Sequence, residues 1–164
     1  MLKHFQQLLY IQISPERLTV RNPKTADTIS EIPEIAISMT APARIIAVGA
    51  LARQACSTDS SAKLLNPFSH PRSLLSDFTT AQQVLKNFVK RLPPKAFWQA
   101  SPAMVMHPLG EPEGGLTQVE LRALHELAFA AGAASVSIWQ GRPLTDAELL
   151  ARDFPTEGQL LSAT

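Results

Sequence analysis

The period of the apolar residues changes once along this chain, and that change limits the folds open to it. Between residues 8 and 48 the apolar side chains fall in short runs broken by proline and turn residues. Beyond Thr79, stretches with the roughly 3.6-residue period of a helix alternate with short apolar runs. Strands first, then helix and strand in turn, predict an α/β chain with a mixed sheet and helices packed against it. Leu8 to Ile13 and Arg17 to Arg21 read as a hairpin across the turn residues Ser14-Pro15-Glu16. Thr28 to Ile32, Glu34 to Met39 and Arg44 to Val48 follow as short strands, and Gly49 leads into a short helical stretch through Cys56. Ser57 to Pro71 is polar and irregular and reads as a surface loop.

Helix starts are marked by one local signature. Thr79 and Gln82, Thr117 and Glu120, and Thr145 and Glu148 each have the spacing of a capping box, in which the two residues satisfy each other's free backbone N–H. Leu116 with Leu121, and Leu144 with Leu149, stand at the matching hydrophobic-staple positions. Val84, Leu85, Phe88, Val89 and Leu92 form one apolar stripe ended by Pro93-Pro94, and Gly132 is placed to end the helix from Thr117. Ala103 to His107 and Val136 to Trp139 read as buried strands.

Charge and cysteine content narrow the function classes. Fifteen Lys+Arg against fourteen Asp+Glu leave no basic field for nucleic acid. The lone Cys56 excludes an internal disulfide, no cleavable leader is read at the start, and no run of about 18 apolar residues occurs. These features predict a cytoplasmic protein. His4, His70, His107 and His125 lack metal-ligand spacing, so no metal is expected. Neither a Gly-x-x-x-x-Gly-Lys-Ser/Thr loop nor a Gly-x-Ser-x-Gly elbow is present.

Several segments, in order, resemble the MreB branch of the actin superfamily. Leu8-Tyr-Ile-Gln-Ile-Ser-Pro-Glu-Arg-Leu-Thr-Val-Arg is similar to its first hairpin, and Arg44-Ile-Ile-Ala-Val-Gly-Ala-Leu-Ala-Arg to the strand and helix that open subdomain IB. The run from Leu116 through Gly132 to Trp139 is similar to the helix and strand that close domain I. The resemblance implies a ribonuclease H-like motif with a mixed five-stranded sheet. It implies one domain over residues 1–154, a reduced subdomain IB over about 44–75, a polar tail over 155–164, and no second domain.

The resemblance also implies a nucleotide site against which these residues can be compared. The family's first phosphate loop reads Asp-Leu-Gly-Thr, with the Asp beside hydrated metal and the Gly letting backbone approach phosphate. The matching residues here are Gln12-Ile13-Ser14-Pro15, without the negative charge and with a residue that has no N–H. Gln118 matches the position that orients the attacking water, yet it also fits an exposed first helical residue. Gly110, Gly114 and Gly115 suggest a phosphate cradle, but Glu111 and Glu113 in the same loop favour a connector. Gln12, Ser14, Gly110, Gly114 and Gly115 are therefore weak nucleotide-binding candidates, Gln118 is a relic, and neither catalysis nor a cofactor is expected.

The expected role is a non-catalytic, cell-shape or cytoskeleton-associated module that binds a protein partner or a second copy. The alternative is a residual ATPase, with ATP and magnesium held across a dimer. The leader resembles an amphipathic one, with Met1, Leu2, Phe5 and Leu9 on one helical face. That face suits peripheral contact with the inner membrane, or packing on the domain or a dimer partner.

Overall fold

The computed structural model describes residues 6–93, 100–110 and 113–161. The first hairpin is formed as expected, by β1 (Leu8–Ile13) and β2 (Leu18–Arg21), and β3 (Thr28–Glu31) adds antiparallel to it. Then come β4 (Ile35–Ser38), β5 (Arg44–Val48), a 3-10 turn at Gly49–Leu51 and α1 (Ala52–Thr58). After β6 (Ala62–Leu65), helix and strand alternate: α2 (Phe78–Arg91), β7 (Ala103–Pro108), α3 (Gln118–Ala130), β8 (Ser135–Gln140), α4 (Asp146–Ala151) and β9 (Gln159–Leu161).

The main sheet is mixed, in the order β3-β2-β1-β7-β8-β9, with β7 parallel to both β1 and β8. It has six strands rather than the expected five. The sixth, β9, comes from residues expected to form a polar tail and pairs antiparallel with β8 through Trp139 opposite Leu160. Within the expected surface loop 57–71, β6 pairs with β4 and completes a separate antiparallel sheet, β5-β4-β6. Neither segment has an alternating pattern long enough to mark it; both become strands because a neighbour offers unpaired backbone groups.

One face of the main sheet carries Leu9, Ile11, Ile13, Leu18, Val20, Met104, Met106 and Ile138 against α2 and α3, which contribute Val84, Leu85, Phe88, Leu121, Leu124 and Leu127. Strand alternation sends Tyr10, Val105 and Trp139 to the other face, where Leu144 and Leu149 cover them. Leu9 is 2% exposed in the first of these cores. A helical leader would group Leu9 with Met1, Leu2 and Phe5, but as a strand residue its side chain is buried and cannot contact a membrane. Met1, Leu2 and Phe5 lie outside the described residues. No helix among the described residues is long and apolar enough to cross a membrane.

Two capping boxes are formed in full, Thr117 with Glu120 and Thr145 with Glu148. The third is not. Asp77, not Thr79, caps α2 by accepting from the Thr80 N–H at 2.8 Å, and the helix begins two residues earlier, which places Thr80 and Ala81 in the buried first turn. Gly132 ends α3 as expected. Its φ of +102° lets the Ala133 N–H reach the Ala128 carbonyl at 3.0 Å. Thr117→Ala and Thr145→Ala should each lower the unfolding free energy by about 1 kcal/mol, read from urea midpoints at constant slope. An unchanged midpoint in both variants would show that the boxes add nothing.

Candidate functional site

Parallel β1 and β7 end side by side, so the turn after β1 and the loop after β7 leave the sheet at the same edge. In open α/β sheets this edge, outside the carboxyl ends of the strands, is where ligands bind. A cleft of about 660 Å³ lies there, between Pro15 of the turn, Leu109 and Gly110 of the loop, Phe68 to Leu74, and Leu116 and Glu120 at the start of α3.

The turn after β1 is folded on itself. The Ser14 N–H donates to the Arg17 carbonyl at 3.0 Å, and the Arg17 N–H donates to the Ser14 Oγ at 3.1 Å. Pro15 has no N–H, and its carbonyl accepts from Asn66 Nδ2 at 2.7 Å. Glu16, the other central residue, is exposed and brings a carboxylate. A phosphate at this turn meets a donor-free proline and a negative charge.

On the opposite wall, Glu120 ties the cleft together. Its carboxylate accepts from the Thr117 N–H at 2.9 Å, the Thr117 hydroxyl at 3.0 Å and the Leu74 N–H at 3.1 Å. Burial pushes this carboxyl up, but those three donors outweigh it and hold the group below its ordinary range.

Of the six nucleotide-site candidates Gln12, Ser14, Gly110, Gly114, Gly115 and Gln118, only Gly110 lines the cleft. Gln12 lies mid-strand, between Thr19 and His107 in the register, with its side chain hydrogen-bonded to Tyr10. Ser14 is spent within its own turn. Gly110, Gly114 and Gly115 have φ of +92°, +79° and +75°, so glycine serves the bending of the connector there. Gln118 is exposed at the first position of α3 and does not line the cleft. Among the described residues, no group of three or more His, Cys, Asp or Glu side chains is arranged to hold a metal.

A second polar constellation, not singled out from the sequence, lies on the face covered by α4. Tyr10 and His107 are 3% and 2% exposed. His107 Nε2–H donates to the Gly141 carbonyl at 2.9 Å, which leaves Nδ1 to accept from the Tyr10 hydroxyl at 2.6 Å. The same hydroxyl accepts from the Leu144 N–H at 3.1 Å. Burial lowers the His107 pKa, only partly opposed by the Gly141 bond, so the ring is held neutral. The available signal was two polar aromatic residues in mostly apolar strands.

Comparison with known proteins fits this geometry. The MreB/Mbl protein family matches residues 19–145. The uncharacterized protein YjaA of Escherichia coli strain K12 is 41% identical over 69 residues, which is 39% of this chain and 54% of YjaA. MreB5 of Spiroplasma citri, solved bound to AMPPNP, superposes with a TM-score of 0.65 at 19% identity, over 81% of this chain and 38% of that one. A non-polymerising mutant of MamK, also bound to AMPPNP, gives a TM-score of 0.61 at 13% identity, over 81% of this chain and 40% of its own. The chain thus spans about half of YjaA and about two fifths of these solved proteins, so these likenesses carry the fold of one part of them. With its mixed sheet, actin-like architecture and a family match over most of its length, the chain belongs to the MreB/Mbl family.

Proposed function

We propose that this chain is a protein-binding module on an actin-like framework, working in the cytoplasm beside the cell-shape cytoskeleton, and not a nucleotide hydrolase. The observation that carries this reading is the turn after β1. A phosphate loop works through backbone N–H groups aimed at the anion, and here Pro15 supplies none, Ser14 and Arg17 bond each other, and Glu16 adds repulsion.

Binding of a protein is supported by where apolar surface remains. On the α4 face Leu149 is fully buried while Leu150 and Leu160 are 52% and 49% exposed, and farther along that face Thr19 and Ser30 pair through their hydroxyls at 2.7 Å, so that part is polar. Around the small sheet the surface is different. Met39, Ile45, Ile46 and Leu51 are 61%, 45%, 36% and 65% exposed. The edge backbone there does not invite strand addition, because Ile46 is an extra residue between the Ile45–Ile37 and Ala47–Ala36 pairs and bulges β5. A partner would meet side chains.

The test is calorimetry with ATP and magnesium, run alongside light scattering over a concentration series. No saturable heat at millimolar nucleotide is the expected result. Saturable binding that appears only with the dimer would favour the residual ATPase and remove this reading.

A further inference from the structure

We propose that Tyr10, His107 and the segment 141–144 form an acid-sensitive latch that holds α4 on the sheet and releases it when His107 takes up a proton. The proposal stands apart from any nucleotide or partner reading. Its basis is a buried ring with both nitrogens already engaged, so that one more proton must reverse the Tyr10 bond and bring a charge into the interior. Nε2–H already donates to Gly141, so the incoming proton must go to Nδ1, the acceptor of the Tyr10 hydroxyl. Two donors then face each other across 2.6 Å, and the hydroxyl must turn its proton away from the ring, toward Gln12 or the side where it receives the Leu144 N–H.

Among the described residues no carboxylate is hydrogen-bonded to the ring, and the acidic groups around it, Asp146, Glu148 and Glu157, interact with Arg21 and Arg142. β1 presents Tyr10 and Gln12, and β8 presents Trp139, all neutral. The connecting loop contributes Arg142, a cation. On α4, Asp146 is held by Arg21 at 2.8 Å and Glu148 by Arg142 at 2.6 Å. The Glu148 carboxyl is drawn down to about 2 by Arg142 and the Thr145 N–H, so it stays ionised and committed to its capping box through the whole acid range concerned.

Relief therefore comes from solvating the ring, and the element that can move is α4. β7 is held on both sides by parallel ladders in the middle of the sheet. α4 has six residues, too few to persist alone, and it is held on the sheet by two leucines, one partly exposed ion pair, the Trp139 indole N–H on the Arg142 carbonyl and this hydrogen-bond chain. The closed form excludes the proton, whereas the open form binds it with an ordinary histidine pKa of about 6.5. The closed state is therefore favoured above that pH and loses ground as pH falls below it. If the closed form takes up no proton, the opening constant rises about tenfold between pH 7.5 and pH 5.5.

The experiment is native-state hydrogen exchange of the full chain, followed by NMR at several pH values and corrected for intrinsic exchange. The Leu144 and Leu149 amides, which donate to Tyr10 and Thr145, report the latch; the amides of α3 report the rest of the fold. The expected result is the tenfold rise at Leu144 and Leu149 with α3 unchanged, abolished in His107→Gln. Should that variant not fold, His107→Met, also unable to titrate, replaces it. A flat response at Leu144, an equal rise in α3, or a rise that persists without the histidine would each overturn the latch.

Discussion

A Trp139→Ala variant loses about 3–5 kcal/mol of unfolding free energy, the cost of emptying an aromatic site in a close-packed interior. Trp139 is 1% exposed and its ring is gripped from several directions. Its indole N–H donates to the Arg142 carbonyl at 2.8 Å, and its ring meets Phe154 with centroids 5.7 Å apart. Gly141 and Gly158 let backbone lie against the ring. A Cβ at Gly158 would stand 2.4 Å from two ring atoms, and one at Gly141 would stand 2.6 Å from it. The side chain is thus a platform for both α4 and β9, and removing it leaves a cavity, an unpaired Arg142 carbonyl and a loosened edge strand. Against a total stability of about 5–15 kcal/mol for a domain of this size, that is a large share. Urea denaturation followed by far-UV circular dichroism measures it. A loss below about 1 kcal/mol would mean that the ring is not the support the packing implies.

What could be read from the residues follows the range of the interactions involved. The boxes at Thr117 and Thr145 were legible because both partners lie three residues apart and need no tertiary information. At α2 two adjacent signals competed. Asp77 won, accepting from the Thr80 N–H, and the helix begins at Phe78. The strand Ala62–Leu65 was illegible for the opposite reason, since its state is set by β4, twenty-odd residues earlier, and not by its own four residues. Leu8 and Leu9 show the same limit. They fall together on a helical wheel, but in β1 they point to opposite sides of the sheet.

The site divides along the same line. The loss at the phosphate turn was legible because proline lacks an N–H in any fold. The Tyr10–His107 pair was not, because the two residues are 97 positions apart and meet only through the β1–β7 register. Gln12 also depended on that register: as a loop residue it would reach the cleft, but as a mid-strand residue it faces Tyr10.

Gly49→Ala should cost about 2–3 kcal/mol, from two separable sources. The residue has φ of +80°, a region that alanine enters at a cost of about 1–2 kcal/mol. The added Cβ would also lie 2.0 Å from Glu31 Oε2 and 3.2 Å from Arg91 Nη1. A carboxylate at the end of a flexible side chain would normally step aside cheaply, but this one is engaged. It accepts from the Ala50 N–H at 2.8 Å and from Arg91 Nη1 at 3.0 Å, and Arg91 holds the Glu31 carboxyl below its ordinary range. The pair is partly exposed, so screening limits its displacement to about 1 kcal/mol.

A double-mutant cycle with Glu31→Ala separates the two sources. Without the carboxylate only the backbone cost should remain, and the difference between the two Gly49→Ala effects should be about 1 kcal/mol. Equal effects in both backgrounds would remove the clash from the account. Because Glu31 is stabilising when ionised, the coupling should persist above the ordinary carboxylate range and fade as pH falls through and below it. The junction joins β3 of the main sheet, the end of α2 and the first turn leading into α1. Weakening it should therefore loosen the small sheet, with its exposed Ile45, Ile46 and Leu51, before it loosens the main core.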